Sequence, residues 1–183
     1  RKNWNGLISG FSASDLVFLD ESGCNTDMTR WYAYSFGGSR AVDSTPLSKP
    51  KNTTILSAIQ LNGTLHYTTF SGGTTVERFK RYLETDLLPH LNGNSLLVMD
   101  NMKSHHAKAV KELLDSSGVR YIYLPPYSPD LNPIEKLWSK VKALLRKFKA
   151  RTLDALPNAI QNAFHAVTVS DCSGWFRFCG YVL

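Results

Sequence analysis

Cysteine is scarce in this sequence. Cys24, Cys172 and Cys179 form an odd set without CxxC spacing, which argues against a disulfide framework or a zinc knuckle and leaves three free thiols. Long apolar runs are missing too. No stretch approaches the roughly 18 residues that a membrane-spanning helix needs, and the start at Arg1 has no charged-then-apolar signal pattern. The default reading is a cytoplasmic protein with no membrane partner. Acid is absent from one region in particular: Lys136, Lys140, Lys142, Arg146, Lys147, Lys149 and Arg151 follow one another with no Asp or Glu between them. Such a run is either a solvated helix face or a surface for a polyanion. The whole-chain excess of 21 Lys plus Arg over 15 Asp plus Glu, net +6, favours the polyanion.

What is present suits one domain: 183 residues, 43% hydrophobic and 11% aromatic, can enclose a sizeable core. Residues 1–14 lack a clear period and read as the tail of a linker. Asp15 to Asp20 is a short apolar run ending in acid, the pattern of a buried central strand. Thr53–Leu61 and Thr64–Ser71 are β-branched runs joined by Asn62-Gly63, a strong hairpin signal. Thr74 is a candidate cap for a helix to about Leu88. Ser95 to Asp100 repeats the design of the first strand. A helix from about Ser104 to Ser117 closes at Gly118, and Val119 to Tyr123 is the next strand. Strand, helix and strand with short connections predict a right-handed parallel unit, so the expected fold is a mixed α/β sheet of five strands flanked by helices.

Leu124-Pro125-Pro126-Tyr127-Ser128-Pro129-Asp130-Leu131-Asn132-Pro133-Ile134-Glu135 is the stiffest part of the chain, because its prolines fix φ and remove backbone donors. Asn132 is a candidate cap, Pro133 suits the first helical position, and Glu135 falls in the first turn, where the helix dipole favours an anion. Ile134, Leu137, Trp138, Val141, Leu144, Leu145 and Phe148 then recur at helical spacing as one apolar stripe. A last helix is expected between Thr152 and Val167, followed by an aromatic tail packed on the core.

Asp20 and Asp100 end two apolar strands, and Glu135 begins a helix just past a third. All three are therefore expected at one end of the sheet, where ligands of open α/β sheets bind. Three carboxylates crowded together repel unless a cation joins them. Oxygen donors without convergent His or Cys select Mg2+ or Mn2+. Two such ions about 4 Å apart serve phosphodiester cleavage or transfer.

Asp20-Glu21-Ser22-Gly23, Asp100-Asn101 followed by His105, and the run from Leu124 to Trp138 resemble the catalytic domain of mariner-superfamily transposases, in the branch found in bacterial insertion sequences. The 34 residues between Asp100 and Glu135 match that family's Asp, Asp, Glu spacing, and Phe176-Arg177-Phe178-Cys179-Gly180-Tyr181 looks like its C-terminal end. The resemblance covers nearly the whole chain. It implies a ribonuclease H-like catalytic domain over residues 15–183, two Mg2+ or Mn2+ ions, cut-and-paste DNA transposition usually into TA, and a homodimer on paired transposon ends. By position, Asp20 and Asp100 hold metal jointly and Glu135 completes the second site. The resemblance also implies a bacterial cytoplasmic protein, on the nucleoid when bound to DNA.

Around this triad, Glu21 is expected on the opposite strand face, in a structural role. Asn101 and His105 match the family pattern after the second aspartate, and His105 either orients a phosphate or ligand or caps its helix. Tyr127, Ser128 and Asn132 are expected to shape the loop, Ser128 also offering a hydroxyl to phosphate. Lys136, Ser139, Lys142 and Arg146 are candidate DNA contacts, the last three by projection on the face of Glu135. The 19 residues before Asp20 are too few for the helix-turn-helix modules that such relatives carry. The expected chain is thus an excised catalytic domain, one frame of a split element or a degenerate copy. Two other functions fit the same residues: a ribonuclease H-like nuclease without strand transfer, and a catalytically inactive, domesticated DNA-binding protein.

Overall fold

Alternation along Leu16–Cys24 (β1) sorts the molecule into two layers around one sheet. Leu16 and Phe18 join one hydrophobic cluster and Val17 and Leu19 the other, because successive strand side chains point to opposite faces. The structure, a computed structural model, describes residues 3–47 and 50–181. Its sheet adds Thr53–Gln60 (β2), Leu65–Ser71 (β3), Leu96–Met99 (β4) and Arg120–Tyr123 (β5), in the order β3-β2-β1-β4-β5. The β2–β3 hairpin turns at Asn62-Gly63 as expected. Gly63 has φ +86°, and a Cβ there would approach Val169 to 3.0 Å, so geometry and space both require glycine. β1 is antiparallel to β2 and parallel to β4, which is parallel to β5. This is the mixed sheet that the sequence predicted.

β1 is longer than its apolar run. Pairing with β4 stops at Leu19–Met99, whereas pairing with β2 continues from Asp20–Ser57 to Cys24–Thr53. Asp20 therefore marks where β4 departs rather than where β1 ends. The polar Glu21-Ser22-Gly23 stays in the strand because β2 supplies its ladder.

One face of the sheet carries Ile134–Phe148 (α4), Leu156–His165 (α5) and Val169–Phe178 (α6), and the other carries Val76–Tyr82 (α2) and Lys108–Ser117 (α3). The α4 stripe buries Ile134, Leu137, Trp138, Val141 and Leu145, while Phe148, expected in it, lies exposed at the helix end. Thr75, not Thr74, caps α2 by accepting from the Arg78 N–H at 3.3 Å. The expected single helix to Leu88 breaks into α2, a π-helical turn at Leu83–Leu87 and a 3-10 turn at Leu88–His90. α3 starts at Lys108 rather than near Ser104, and Gly118 closes it at φ +73°.

The aromatic tail is largely helical. Thr168 and Asp171 form a capping box that starts α6, and Asp171 also receives the Lys140 ammonium from α4. Past α6, Tyr181 folds back into the core against Phe18 and Phe176. At the other end, where the sequence shows no period, Trp4–Ile8 (α1) is a short helix with Trp4 buried, and the Trp4 indole donates to the Tyr181 hydroxyl at 3.3 Å. Among the described residues no helix is long and apolar enough to cross a membrane.

Candidate active site

The register sets Asp20 beside Asp100. Leu19 pairs with Met99 in the parallel ladder, so the next residue on each strand is an aspartate, and from there β4 turns away. Asp20 is buried, 8% exposed, on the α4 face of β1. Its Oδ1 accepts from the Glu21 N–H at 2.8 Å and its Oδ2 from the Trp138 indole at 3.2 Å. Asp100 is more open. Its Oδ1 accepts from the Met102 N–H at 3.0 Å and from His105 Nδ1 at 2.7 Å. No hydrogen bond to its Oδ2 is seen among the described residues.

The proline-rich run delivers Glu135 to the same place. After β5, Leu124 still donates to the Met99 carbonyl at 2.8 Å, and Pro129–Leu131 forms a 3-10 turn. α4 opens with Glu135 in its first turn, exposed. The Asn132 side chain does not cap this helix. Instead the Asn132 backbone carbonyl accepts from the Glu135 N–H at 3.1 Å, and its Oδ1 is buried without a partner. The Tyr181 hydroxyl, which accepts from Trp4, donates to the Leu131 carbonyl and fastens the loop to the core. Asp20, Asp100, Glu135, Asn101, Ser128, Asn132 and residues 124–129 line one open cleft of about 580 Å³.

The electrostatics of the two aspartates diverge. Burial pushes the Asp20 carboxyl up to about 7; the Glu21 N–H opposes this, and the Asp100 and Glu135 carboxylates add to it. Burial also acts on Asp100, but His105 and the Met102 N–H hold it below the usual carboxylate range. Burial alone would lower His105; the Asp100 and Glu21 carboxylates instead raise it to about 9, so it is an imidazolium at neutral pH. An acid brought to the edge of ionisation by burial, with two like-charged neighbours adding to it, is the setting that a divalent cation stabilises, and the donors are hard oxygens. The residues thus fit Mg2+ or Mn2+. Among the described residues no three His, Cys, Asp or Glu side chains converge into a ready-made cage, so the fit is of two carboxylates to an ion.

The other expected contacts divide. His105 is wholly buried, stacked on Phe79 at 4.3 Å between ring centroids, with Nε2 3.4 Å from Glu21. It does not cap α3; it holds Asp100 and ties it to Glu21, whose side chain meets His105 on the far face of β1 while the residue also borders the cleft. Asn101 donates to the Leu124 carbonyl and contacts His106 at 3.3 Å, closing the cleft floor. Ser128 is 5% exposed and donates to the Pro126 carbonyl, so its hydroxyl serves the loop. Lys136 lies 3.9 Å over the Phe178 ring, turned to α6 and away from the cleft. Ser139 is exposed. Lys142 and Arg146 leave the triad cleft and line a neighbouring groove with Gly23, Asn25, Asp27 and Trp31.

Two residues gained importance that periodicity had hidden. Trp138, read as core, is core and also holds Asp20; its position one turn after Glu135 was the available signal. Tyr127, read as a loop former, is a non-glycine residue at φ +53° with its ring 99% exposed at the cleft.

Residues 15–157 match the DDE superfamily endonuclease family. The chain is 29% identical over 97 residues to the Tc1 transposase of Caenorhabditis elegans, covering 51% of this chain and 36% of that protein. It is 34% identical over 71 residues to the Tcb2 transposase of Caenorhabditis briggsae, covering 39% and 26%. The chain thus spans between about a quarter and about a third of the length of these relatives. A pre-cleavage Mos1 transpososome superposes with TM-score 0.78 at 19% identity, over 94% of this chain and 56% of that one. The Mos1 catalytic domain with raltegravir and Mg gives 0.71 at 16%, over 96% and 84%. With its matched segment running from β1 through the Glu135 helix, and with the ribonuclease H-like fold of a mariner catalytic domain, this chain belongs to the DDE superfamily endonucleases.

Proposed function

We propose that this chain is the catalytic domain of a cut-and-paste DNA transposase, with Asp20, Asp100 and Glu135 as its catalytic acids. The observation that carries this reading is their meeting in one cleft, with Asp20 pushed to about 7 partly by the other two. In the proposed reaction a water oxygen bonds to phosphorus at the element end. The P–O3′ bond breaks, and the leaving oxygen takes a proton to become a 3′-hydroxyl. That hydroxyl then attacks a phosphate of target DNA, displacing a second 3′ oxygen without net loss of phosphodiester bonds.

Asp20 and Asp100 would hold one divalent ion together and Glu135 would complete a second site with Asp20. Bound there, such ions polarise the phosphate and stabilise the charge on attacking and leaving oxygens. The chain's other residues keep the acids in place. Trp138 fixes the Asp20 carboxylate from α4, the His105 imidazolium fixes Oδ1 of Asp100, and the 3-10 turn before α4 sets where Glu135 emerges. Lys142 and Arg146 supply cations for the DNA backbone beside the cleft. Such contacts position a duplex without reading it, each steepening the salt dependence by about 0.9 in log–log slope. Mos1 structures of a paired-end complex with Mn and of a strand transfer complex support a working assembly on paired ends, with a second copy of this chain. A TA target is proposed from the resemblance. Recognition of terminal repeats is assigned outside the described fold, so this chain alone should bind DNA weakly and without end specificity.

The test is plasmid nicking by the 183-residue chain in Mg2+, Mn2+ or EDTA, beside Asp100→Asn and Glu135→Gln. Nicking that needs metal and is lost in both variants is the expected result. Full activity in Glu135→Gln would remove that residue from the site, and nicking without joining of pre-cleaved ends to target would favour a plain nuclease.

A further inference from the structure

Tyr127 stands out from its loop in both backbone and exposure. Pro126 has a fixed φ, and Ser128, preceding Pro129, is excluded from the right-handed helical region. The reversal between them falls on Tyr127, which takes φ +53°, a conformation natural to Gly and Asn and strained for an aromatic residue. Its ring gains nothing in return from the fold: it is 99% exposed, at a cleft shared with Asp20, Asp100 and Glu135. Leu124 and Ser128 on either side are buried and anchored, to Met99 and Pro126. The result is a rigidly mounted, solvent-facing aromatic plane beside the carboxylates.

We propose that Tyr127 is a stacking platform for an unstacked nucleobase next to the reacting phosphate. This rests on the reading of the cleft as a phosphodiester site. A nucleobase offers an aromatic face of the right size, and stacking on an exposed ring is how proteins hold bases that have left the duplex. Duplex bases are inaccessible to it, so the contact selects for a frayed, flipped or single-stranded nucleotide at the cut. Strain and exposure, both unfavourable to the free protein, are the expected marks of a residue kept for a ligand rather than for the fold.

The strain makes the test sharp, because Tyr127→Gly removes the ring and relieves the backbone together. Its melting temperature should stay equal to wild type or rise by about 2–4 °C. Binding is read by fluorescence anisotropy at low salt with two probes, a labelled blunt duplex and the same duplex with a single-stranded overhang. Wild type and Tyr127→Phe should prefer the overhang. Tyr127→Gly should lose that preference by roughly tenfold to a hundredfold, with blunt-duplex affinity unchanged.

An overhang preference that survives in Tyr127→Gly, or none in wild type, overturns the proposal. So does a clear fall in the melting temperature of Tyr127→Gly, which would make the ring a structural element. Glu135→Gln separates the two readings. If it still nicks plasmid while Tyr127→Gly loses the overhang, the catalytic assignment fails and the platform stands; if it is inactive while the overhang preference is untouched by Tyr127→Gly, only the platform fails.

Discussion

Trp138 holds a catalytic candidate with a single atom. Its indole N–H, a donor and nothing else, reaches Asp20 Oδ2 from the helix that begins with Glu135. Trp138→Phe keeps a ring in the core and removes that donor. It should cost about 1–2 kcal/mol of stability by chemical denaturation and weaken Mn2+ binding in calorimetry by roughly 10- to 100-fold, as loss of a ligand's supporting contact does. Unchanged Mn2+ affinity would show that the indole does not orient Asp20. Periodicity placed Trp138 in the core, because spacing reports which way a side chain points. It says nothing of what its tip meets after the chain has crossed from residue 138 back to residue 20. His105 shows the same limit. Its place five residues after Asp100 was visible, but its burial between two carboxylates depended on Phe79 and Glu21, which reach it only through tertiary packing.

Among the elements, α6 escaped the sequence reading although its start was written there. Gly174 and the aromatic cluster masked the period, while Thr168 and Asp171 spelled a capping box. Burial raises the Asp171 carboxyl, but Lys140 and the Thr168 N–H and hydroxyl outweigh it and hold the group below the usual carboxylate range. A folded-state pKa below the unfolded one means stability that is present at neutral pH and lost as pH falls through the folded value. Asp171→Asn should therefore lower the melting temperature at neutral pH by about 2–4 °C, for a cap and one partly buried ion pair worth about 1 kcal/mol. The gap from wild type should close in acid below about pH 4. A gap that persists in acid would place the effect in packing rather than charge. The strands were easier to see: the Asn62-Gly63 hairpin and two apolar runs ending in aspartate fixed the sheet's composition. The extension of β1 past Asp20 was hidden because Glu21-Ser22-Gly23 is polar and is kept in register by β2.

At the scale of the molecule, the connection between β1 and β2 is the part least supported by the rest. Trp31, Tyr32, Tyr34 and Phe36 are each at least 87% exposed, and the segment is moored at its base by Asp43 to Lys149 at 2.8 Å and by Arg151 to the Ser44 carbonyl at 3.1 Å. Limited chymotrypsin digestion should cut first between Trp31 and Phe36, and the two fragments should stay associated because β1 and β2 remain paired across the cut. A first cut within the Pro125–Pro129 loop would contradict the rigidity assigned to it.

The Tyr181 hydroxyl joins residues that the chain keeps far apart, Trp4 at a separation of 177 and Leu131 at 50. Contacts of that range form only after the intervening chain has collapsed, since closing a long loop costs entropy before the contact returns anything. Trp4 and the loop ahead of Glu135 are therefore expected to be fastened late in folding, so a partly folded chain would carry its carboxylates before it could hold them together.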